Sequence, residues 1–313
     1  MVKSGLRQCI GDPGVFTRTI TIATHMDDMA GFATTAEALD KIEVSMEKHV
    51  ELEKLGTPTK LLGMELTWGL NRECVKLTQN SAIGNLTKEF EIITTIPTKS
   101  LPLNTNDYAK LQEETTPELQ KKYQSLVGSL LYIARHTRPE ITLHTNLLGR
   151  RTSNATPSNL KVGIQVLRYL ASSSESGIVI GLPEKREQIL ERNIIIRGYA
   201  DASYGGEKAR SQSGSLVLLN GQTVIWTSQR QDTTAQSITE AEYIACFETA
   251  KDIRWMHQFL EEVSVPISTL MLYTDNEAVL RGYKQYTYIK LYKNNRYLQY
   301  LLEYVPHSSG YNN

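Results

Sequence analysis

Three acidic residues stand where their chemistry could be used together: Asp201, Glu242 and Asp275. Asp201 closes an apolar, β-branched run, 194–201, which predicts a buried strand with a carboxylate at its tip. A further strand is predicted at 270–273 and ends at Asp275. Glu242 lies in the first turn of a helix predicted over 241–263, where Tyr243, Phe247, Ala250, Ile253, Met256, Leu260 and Val263 recur at spacings of three and four. Hard divalent cations take oxygen ligands, usually one or two carboxylates plus substrate phosphate oxygens. A pair of such ions can promote displacement at a phosphodiester. Each acid also has a plainer reading. Thr239 and Glu242 fit a capping box, and Asp is common wherever a strand turns.

The elements that must position these acids can be read around them. Runs at 213–219 and 223–226 flank Asn220-Gly221, a pair suited to the positive φ angles of a tight hairpin turn. Strand, hairpin, helix, strand predicts a mixed sheet with all three carboxylates at strand or helix ends.

The words Gly-Tyr-Ala-Asp-Ala-Ser-Tyr-Gly-Gly (198–206), Ser-Gln-Ser-Gly-Ser (211–215), Ser-Ile-Thr-Glu-Ala-Glu-Tyr-Ile-Ala (237–245) and Tyr-Thr-Asp-Asn (273–276) occur in that order. They resemble the ribonuclease H domain of copia-type LTR retrotransposon polyproteins. The resemblance puts the family's first three acids on Asp201, Glu242 and Asp275, with Glu240 as the less favoured choice for the second. A fourth acid is expected soon after a Tyr-Val-Pro word. Tyr304-Val305-Pro306 is present, but no Asp or Glu follows it, and 283–302 departs from the family pattern.

A second acidic pair, Asp27-Asp28, lies between two apolar runs in 19–33 and predicts a β-hairpin with carboxylates at its turn. An ordinary Asp-containing turn is the plainer reading. With Ser4-Gly5-Leu6-Arg7-Gln8 and Asp12-Pro13-Gly14-Val15-Phe16 before it, the hairpin resembles the family's reverse-transcriptase motif Tyr-Val-Asp-Asp, here His-Met-Asp-Asp. The resemblance implies a further palm acid and template-binding fingers, which would precede Met1, so DNA synthesis by this chain alone is not expected.

Between these regions the sequence predicts a helix from Thr34, capped with Glu37 and running toward Gly56, and a hairpin from 61–66 and 74–77. It then predicts a short helix at 81–90, a linker at 96–107 and a helix starting at Thr116-Pro117, followed by helices at 141–151 and 157–170. The stretch from Tyr123 to Ile141 resembles the family's helical connection. Arg135, Arg138, Arg150, Arg151, Lys161 and Arg168 make it the most basic region, a candidate for nucleic-acid backbone contacts; a solvated helix surface is the alternative.

The expected class is α/β (α+β). Residues 1–80 would be a partial reverse-transcriptase palm, 81–190 a thumb and helical connection, 191–282 a ribonuclease H-like mixed sheet with helices, and 283–313 a divergent, truncated tail. The resemblance implies Mg2+ or Mn2+ at Asp27, Asp28, Asp201, Glu242 and Asp275. It also implies RNA–DNA hybrid or other nucleic acid as partner, possible association with other Pol or Gag products, and a place in a cytoplasmic virus-like particle or the nucleus. A non-catalytic remnant that at most binds nucleic acid is the competing reading, and an unrelated two-carboxylate hydrolase a third. A net charge of zero over 313 residues demands that any binding to nucleic acid come from local patches. Three scattered cysteines suggest reduced thiols inside a cell, and no apolar run approaches membrane-spanning length.

Overall fold

The computed structural model describes residues 2, 5–18, 20–26, 28–33, 35–93, 100–101, 114–181, 194–206, 209–283, 289–290 and 300–304. Helices and three sheets alternate in an α/β arrangement with three separate cores. Among the described residues no helix is long and apolar enough to cross a membrane.

The first sheet is an antiparallel meander of β1 (Arg7–Gln8), β2 (Val15–Thr17), β3 (Ile20–His25) and β4 (Asp28–Ala33). Leu6, Ile20 and Ile22 bury against Met46 of α1 (Ala36–Glu47). The cap of α1 differs from expectation. Thr35, not Thr34, is the N-cap and its hydroxyl accepts from the Ala38 N–H at 3.3 Å; Thr34 itself is outside the described residues. The helix also ends at Glu47, well before Gly56, and Val44 and Val50 are half exposed.

The second sheet joins β5 (Lys60–Leu61), β6 (Met64–Trp68), β7 (Cys74–Thr78) and β8 (Ile178–Gly181), in that order. The predicted strand 61–66 is broken after Leu61 by a turn in which Leu62 and Gly63 both take positive φ, 48° and 72°. Tyr132 fixes that turn by donating to the Leu62 carbonyl at 2.6 Å. The return of β8 to β7 across a hundred residues is a feature that the sequence reading missed.

Among the described residues, four α-helices lie between β7 and β8: α2 (Asn80–Glu89), α3 (Pro117–His136), α4 (Thr142–Gly149) and α5 (Pro157–Ser172). Thr116 and Thr156 cap α3 and α5, each with proline in the first turn, where a missing N–H costs nothing. Their apolar stripes meet in the largest core, around Tyr123, Leu126, Leu130, Val166 and Leu170. The expected linker at 96–107 lies outside the described residues except Ser100 and Leu101.

The third sheet has the order β11-β10-β9-β12-β14-β13. It is built from β9 (Ile194–Ser203), β10 (Gln212–Leu219), β11 (Gln222–Arg230), β12 (Ile267–Thr274), β13 (Ile289–Lys290) and β14 (Tyr300–Tyr304). β9 pairs antiparallel with β10 and parallel with β12, so it is the central strand. Asn220 and Gly221 form the hairpin turn with φ of 49° and 84°, as expected of that pair. β14 extends the sheet on the far edge of β12, into the stretch expected to be a divergent tail.

One face of this sheet is covered by α6 (Ile238–Glu262), and α7 (Glu277–Tyr283) follows β12. Ile196, Ala200, Val217, Leu270 and Leu272 pack against Ala245, Cys246, Ile253, Met256 and Leu260. The buried stripe of α6 begins with the small residues Ala241, Ala245 and Thr249, whereas Tyr243 and Phe247, expected inside, are 39% and 54% exposed. The reason lies in β9. A Cβ at Gly198 would come within 2.5 Å of the Ile253 side chain and 2.9 Å of that of Thr249, so helix and strand approach too closely for aromatic rings between them.

Candidate metal centre

Asp201 sits two residues before the end of β9, Asp275 directly after β12, and Glu242 near the start of α6. Because β9 and β12 run parallel, both strands deliver their acids to the same end of the sheet. One oxygen or other ligand atom from each of the three carboxylates lies within 4.8 Å of the others, the one such group among the described residues.

The capping-box reading of Glu242 does not hold. The cap of α6 is Ser237, two residues earlier than the predicted Thr239–Glu242 box: its hydroxyl accepts from the Glu240 N–H at 3.1 Å, and the Glu240 carboxylate accepts from the Gln236 N–H at 2.6 Å. Ser237 and Glu240 satisfy the same Ser-x-x-Glu pattern. That leaves Glu240 exposed and engaged and sends Glu242, 5% exposed, toward the sheet. At the other end, Asn276 rather than Asp275 caps α7, its side-chain oxygen accepting from Ala278 and Val279 at 3.0 and 3.1 Å.

The electrostatics follow from this crowding. Burial, then the charges of Asp201 and Asp275, push the Glu242 carboxyl up to about 7, against a smaller opposing effect from a hydrogen bond with the Ala202 backbone. Glu242 Oε2 is buried without a hydrogen-bond partner. A buried, unpaired carboxylate oxygen facing two further carboxylates, with no described cation paired to any of them, fits a hard divalent cation. Cys246, one helical turn beyond Glu242, is not a candidate nucleophile. Burial, partly offset by a hydrogen bond with Thr274, raises its thiol to about 11.

The sheet face opposite α6 is open beside the acids. Strand alternation puts Trp226, Leu216, Tyr199 and Tyr273 in one row across it, and Ser228, Gly214 and Asp201 in the next. Tyr199 and Tyr273 stack, with ring centroids 4.8 Å apart. Pro139 and Leu143 roof this row, leaving a groove of about 600 Å³ that reaches Asp201 and Asp275. Trp226 ties groove and roof together by donating to the Ala134 carbonyl at 2.8 Å.

The other predicted site residues lie elsewhere. Asp28 opens β4, exposed and paired across the hairpin with His25, while Asp27 is outside the described residues. Met26, 91% exposed with φ of 51°, forms the turn. The sheet bearing this hairpin docks on the far end of α6, where Glu262 accepts from the Ile10 and Gly11 N–H groups at 2.8 and 3.2 Å and Trp255 donates to the Gly11 carbonyl. Twenty helical residues, about 30 Å, separate Glu262 from Glu242.

Of the basic residues, Arg135, Arg150, Lys161 and Arg168 are exposed and Arg151 is partly so. Arg138 is a correction. It is 1% exposed, donates to Glu140 at 2.6 Å and to the Ser173 carbonyl and hydroxyl at 3.0 and 2.7 Å, and stacks over Tyr169. It clamps α3 to the end of α5 and offers nothing to a ligand. Missed by the sequence reading were Arg210 and Arg230, which flank the β10–β11 hairpin near Arg150. No basic run marked them.

No family model matches the chain. Curated relatives do. A retrovirus-related Pol polyprotein from transposon TNT 1-94 of Nicotiana tabacum is 26% identical over 83% of this chain, which spans 20% of that polyprotein. A transposon Ty5-1 protein of Saccharomyces cerevisiae is 28% identical over 80% of this chain and 81% of its own length. A protein of Plasmopara viticola named as secreted RxLR effector protein 161 is 34% identical over 43% of this chain and 90% of its own. With the order of strands and acids described above, the transposon matches show that over much of its length this chain is similar to part of the Pol polyproteins of copia-type retrotransposons.

Proposed function

We propose that the third sheet carries a ribonuclease H-type site which hydrolyses the RNA strand of an RNA–DNA hybrid with Mg2+ or Mn2+. The carrying observation is the convergence of Asp201, Glu242 and Asp275 within 4.8 Å around a buried carboxylate oxygen that has no partner. The relatives' identity as retrotransposon polyproteins makes nucleic acid the fitting substrate class.

Asp201, Glu242 and Asp275 would hold the cation. When bound, it supplies positive charge against the phosphodiester oxygens. The chain's own residues do the rest. Glu242 is held in place by the Ser237 cap and the Ala202 N–H, so its carboxylate is fixed before substrate arrives. Gly214, opposite Asp201 on β10, leaves the sheet face beside the acids free of side chain. The groove roofed by Pro139 and Leu143 gives a strand room to lie along that face.

The test is cleavage of a labelled RNA–DNA hybrid by the whole chain with Mg2+ or Mn2+, beside Asp201→Asn. Cleavage lowered at least ~100-fold in the variant supports the reading, since electrostatic groups at a reacting centre are worth that much or more. A folded protein that does not cleave, or cleavage indifferent to Asp201→Asn, overturns it. Retained hybrid binding in the first case would favour the second reading, a non-catalytic nucleic-acid binder.

A further inference from the structure

We propose that Arg150, Arg151, Arg210 and Arg230 form a cradle for backbone phosphates of the same nucleic-acid strand that reaches the carboxylate site. The inference rests on the nuclease reading for its substrate and extends it to residues outside the acids.

The four arginines come from three separate places. Arg150 and Arg151 follow α4, Arg210 precedes β10, and Arg230 ends β11. The β ladder fixes which face they share. Arg230 pairs with Gln212, which pairs with Ser203, two residues beyond the row of Ser228, Gly214 and Asp201. A two-residue step along a strand returns to the same face, so Gln212, Arg230 and Asp201 all lie on the open side of the sheet. The Gln212 amide donates to Ser228 Oγ at 2.9 Å, which is consistent with that placement.

Arg150 closes the cradle from the helical side. It donates to Asn146 Oδ1 at 2.9 Å and to Gln212 Oε1, so Gln212 links α4 to the end of the sheet. Arg210 is held from the opposite side by the Asp232 carbonyl at 3.4 Å. Desolvation and then the charges of Arg230, Arg151 and Arg210 lower the proton affinity of Arg150, as expected where guanidinium groups crowd together. Among the described residues, Arg150, Arg210 and Arg230 are in no ion pair with a carboxylate.

Guanidinium groups gathered from separate elements, three of them outside any ion pair among the described residues, favour an anion of high charge density. Guanidinium forks match phosphate oxygens bidentately. The position favours nucleic acid over an acidic peptide, because the cluster and the acids share one face and one end of the sheet. Two strands across and two residues along separate Arg230 from Asp201, about 12 Å. Along a duplex axis that is on the order of three or four nucleotides. The cradle would therefore hold the backbone a few steps from the phosphate at the acids and set where along the strand the acids act.

The experiment is fluorescence anisotropy of a labelled RNA–DNA hybrid with the whole chain in EDTA, over a series of NaCl concentrations. It compares the unaltered chain with R210Q/R230Q and with a charge-matched control, K54Q/K251Q, whose lysines are paired to Glu43, Glu47 and Glu248 elsewhere on the surface. The expected result is a slope of log affinity against log salt that flattens by roughly 1.8 in R210Q/R230Q, the loss of two phosphate contacts, with the control unchanged. An unaltered slope in R210Q/R230Q, an equal change in the control, or no hybrid binding by the unaltered chain overturns the cradle. Arginine-dependent binding without cleavage in Mg2+ sustains it while removing the nuclease reading; cleavage with arginine-independent binding does the reverse.

Discussion

Two pairs of strands in this molecule present acids, and they do so in opposite ways. In the hairpin of β3 and β4, Asp28, next to Asp27 in the sequence, opens the second strand, is exposed and lies outside the one cluster of three metal-ligating groups found among the described residues. In the third sheet, Asp201, Glu242 and Asp275 are each more than thirty residues apart, yet a parallel strand pair and a helix start bring them within 4.8 Å. At the hairpin the described acid, Asp28, stands in water, where its charge costs little. Convergence through the fold places one of the three, Glu242, in a site that makes its charge costly unless a cation shares it.

The comparison yields its largest expected effect in the nuclease assay. Glu242→Gln should lower cleavage at least ~100-fold, whereas Asp28→Asn should leave it within about twofold; comparable losses in both would erase the distinction between the regions.

Next comes the cost of the buried carboxyl. Glu242 keeps its proton in the folded chain up to about pH 7 but loses it near 4.5 when unfolded. The folded state thus binds more protons between those values, and stability falls as pH rises through about 4.5 to 7, then levels. Thermal unfolding in EDTA should show this fall in the unaltered chain and not in Glu242→Gln, and added Mg2+ should recover stability mainly above pH 7. A fall of the same size in the variant would mean that the charge conflict lies elsewhere.

Arg138→Ala should destabilise by on the order of 2–4 kcal/mol through its lost hydrogen bonds and the space left behind, while exposed Arg135→Ala should change stability little. Urea midpoints compare the two. Smallest is Gly198→Ala, which should cost about 1–3 kcal/mol as α6 is pushed from β9; no loss there would contradict the close approach that aims Glu242.

Much of the third sheet was legible in the chain. The β-branched run into Asp201 and the Asn220-Gly221 turn carry local signals that the fold has no reason to override. The second acid was less so, because two overlapping Ser/Thr-x-x-Glu patterns compete for the start of α6, and only the cap at Ser237 decides that Glu242 turns inward. The inward face of α6 misled for a related reason. Periodicity rewards Tyr243 and Phe247, whereas the close crossing at Gly198 rewards Ala241, Ala245 and Thr249. Arg138 shows the limit of charge as a signal, since a buried guanidinium with carbonyl and hydroxyl partners looks in sequence like any other. Arg210 and Arg230 show the converse: they are twenty residues apart, and only the antiparallel ladder makes them neighbours.

The most direct test of the central claim is calorimetric titration of Mn2+ into the unaltered chain, Asp201→Asn and Asp28→Asn at pH 8. Saturable binding that survives Asp28→Asn and disappears in Asp201→Asn is the predicted result. Binding that survives Asp201→Asn and disappears in Asp28→Asn would contradict it, and would move the metal to the hairpin.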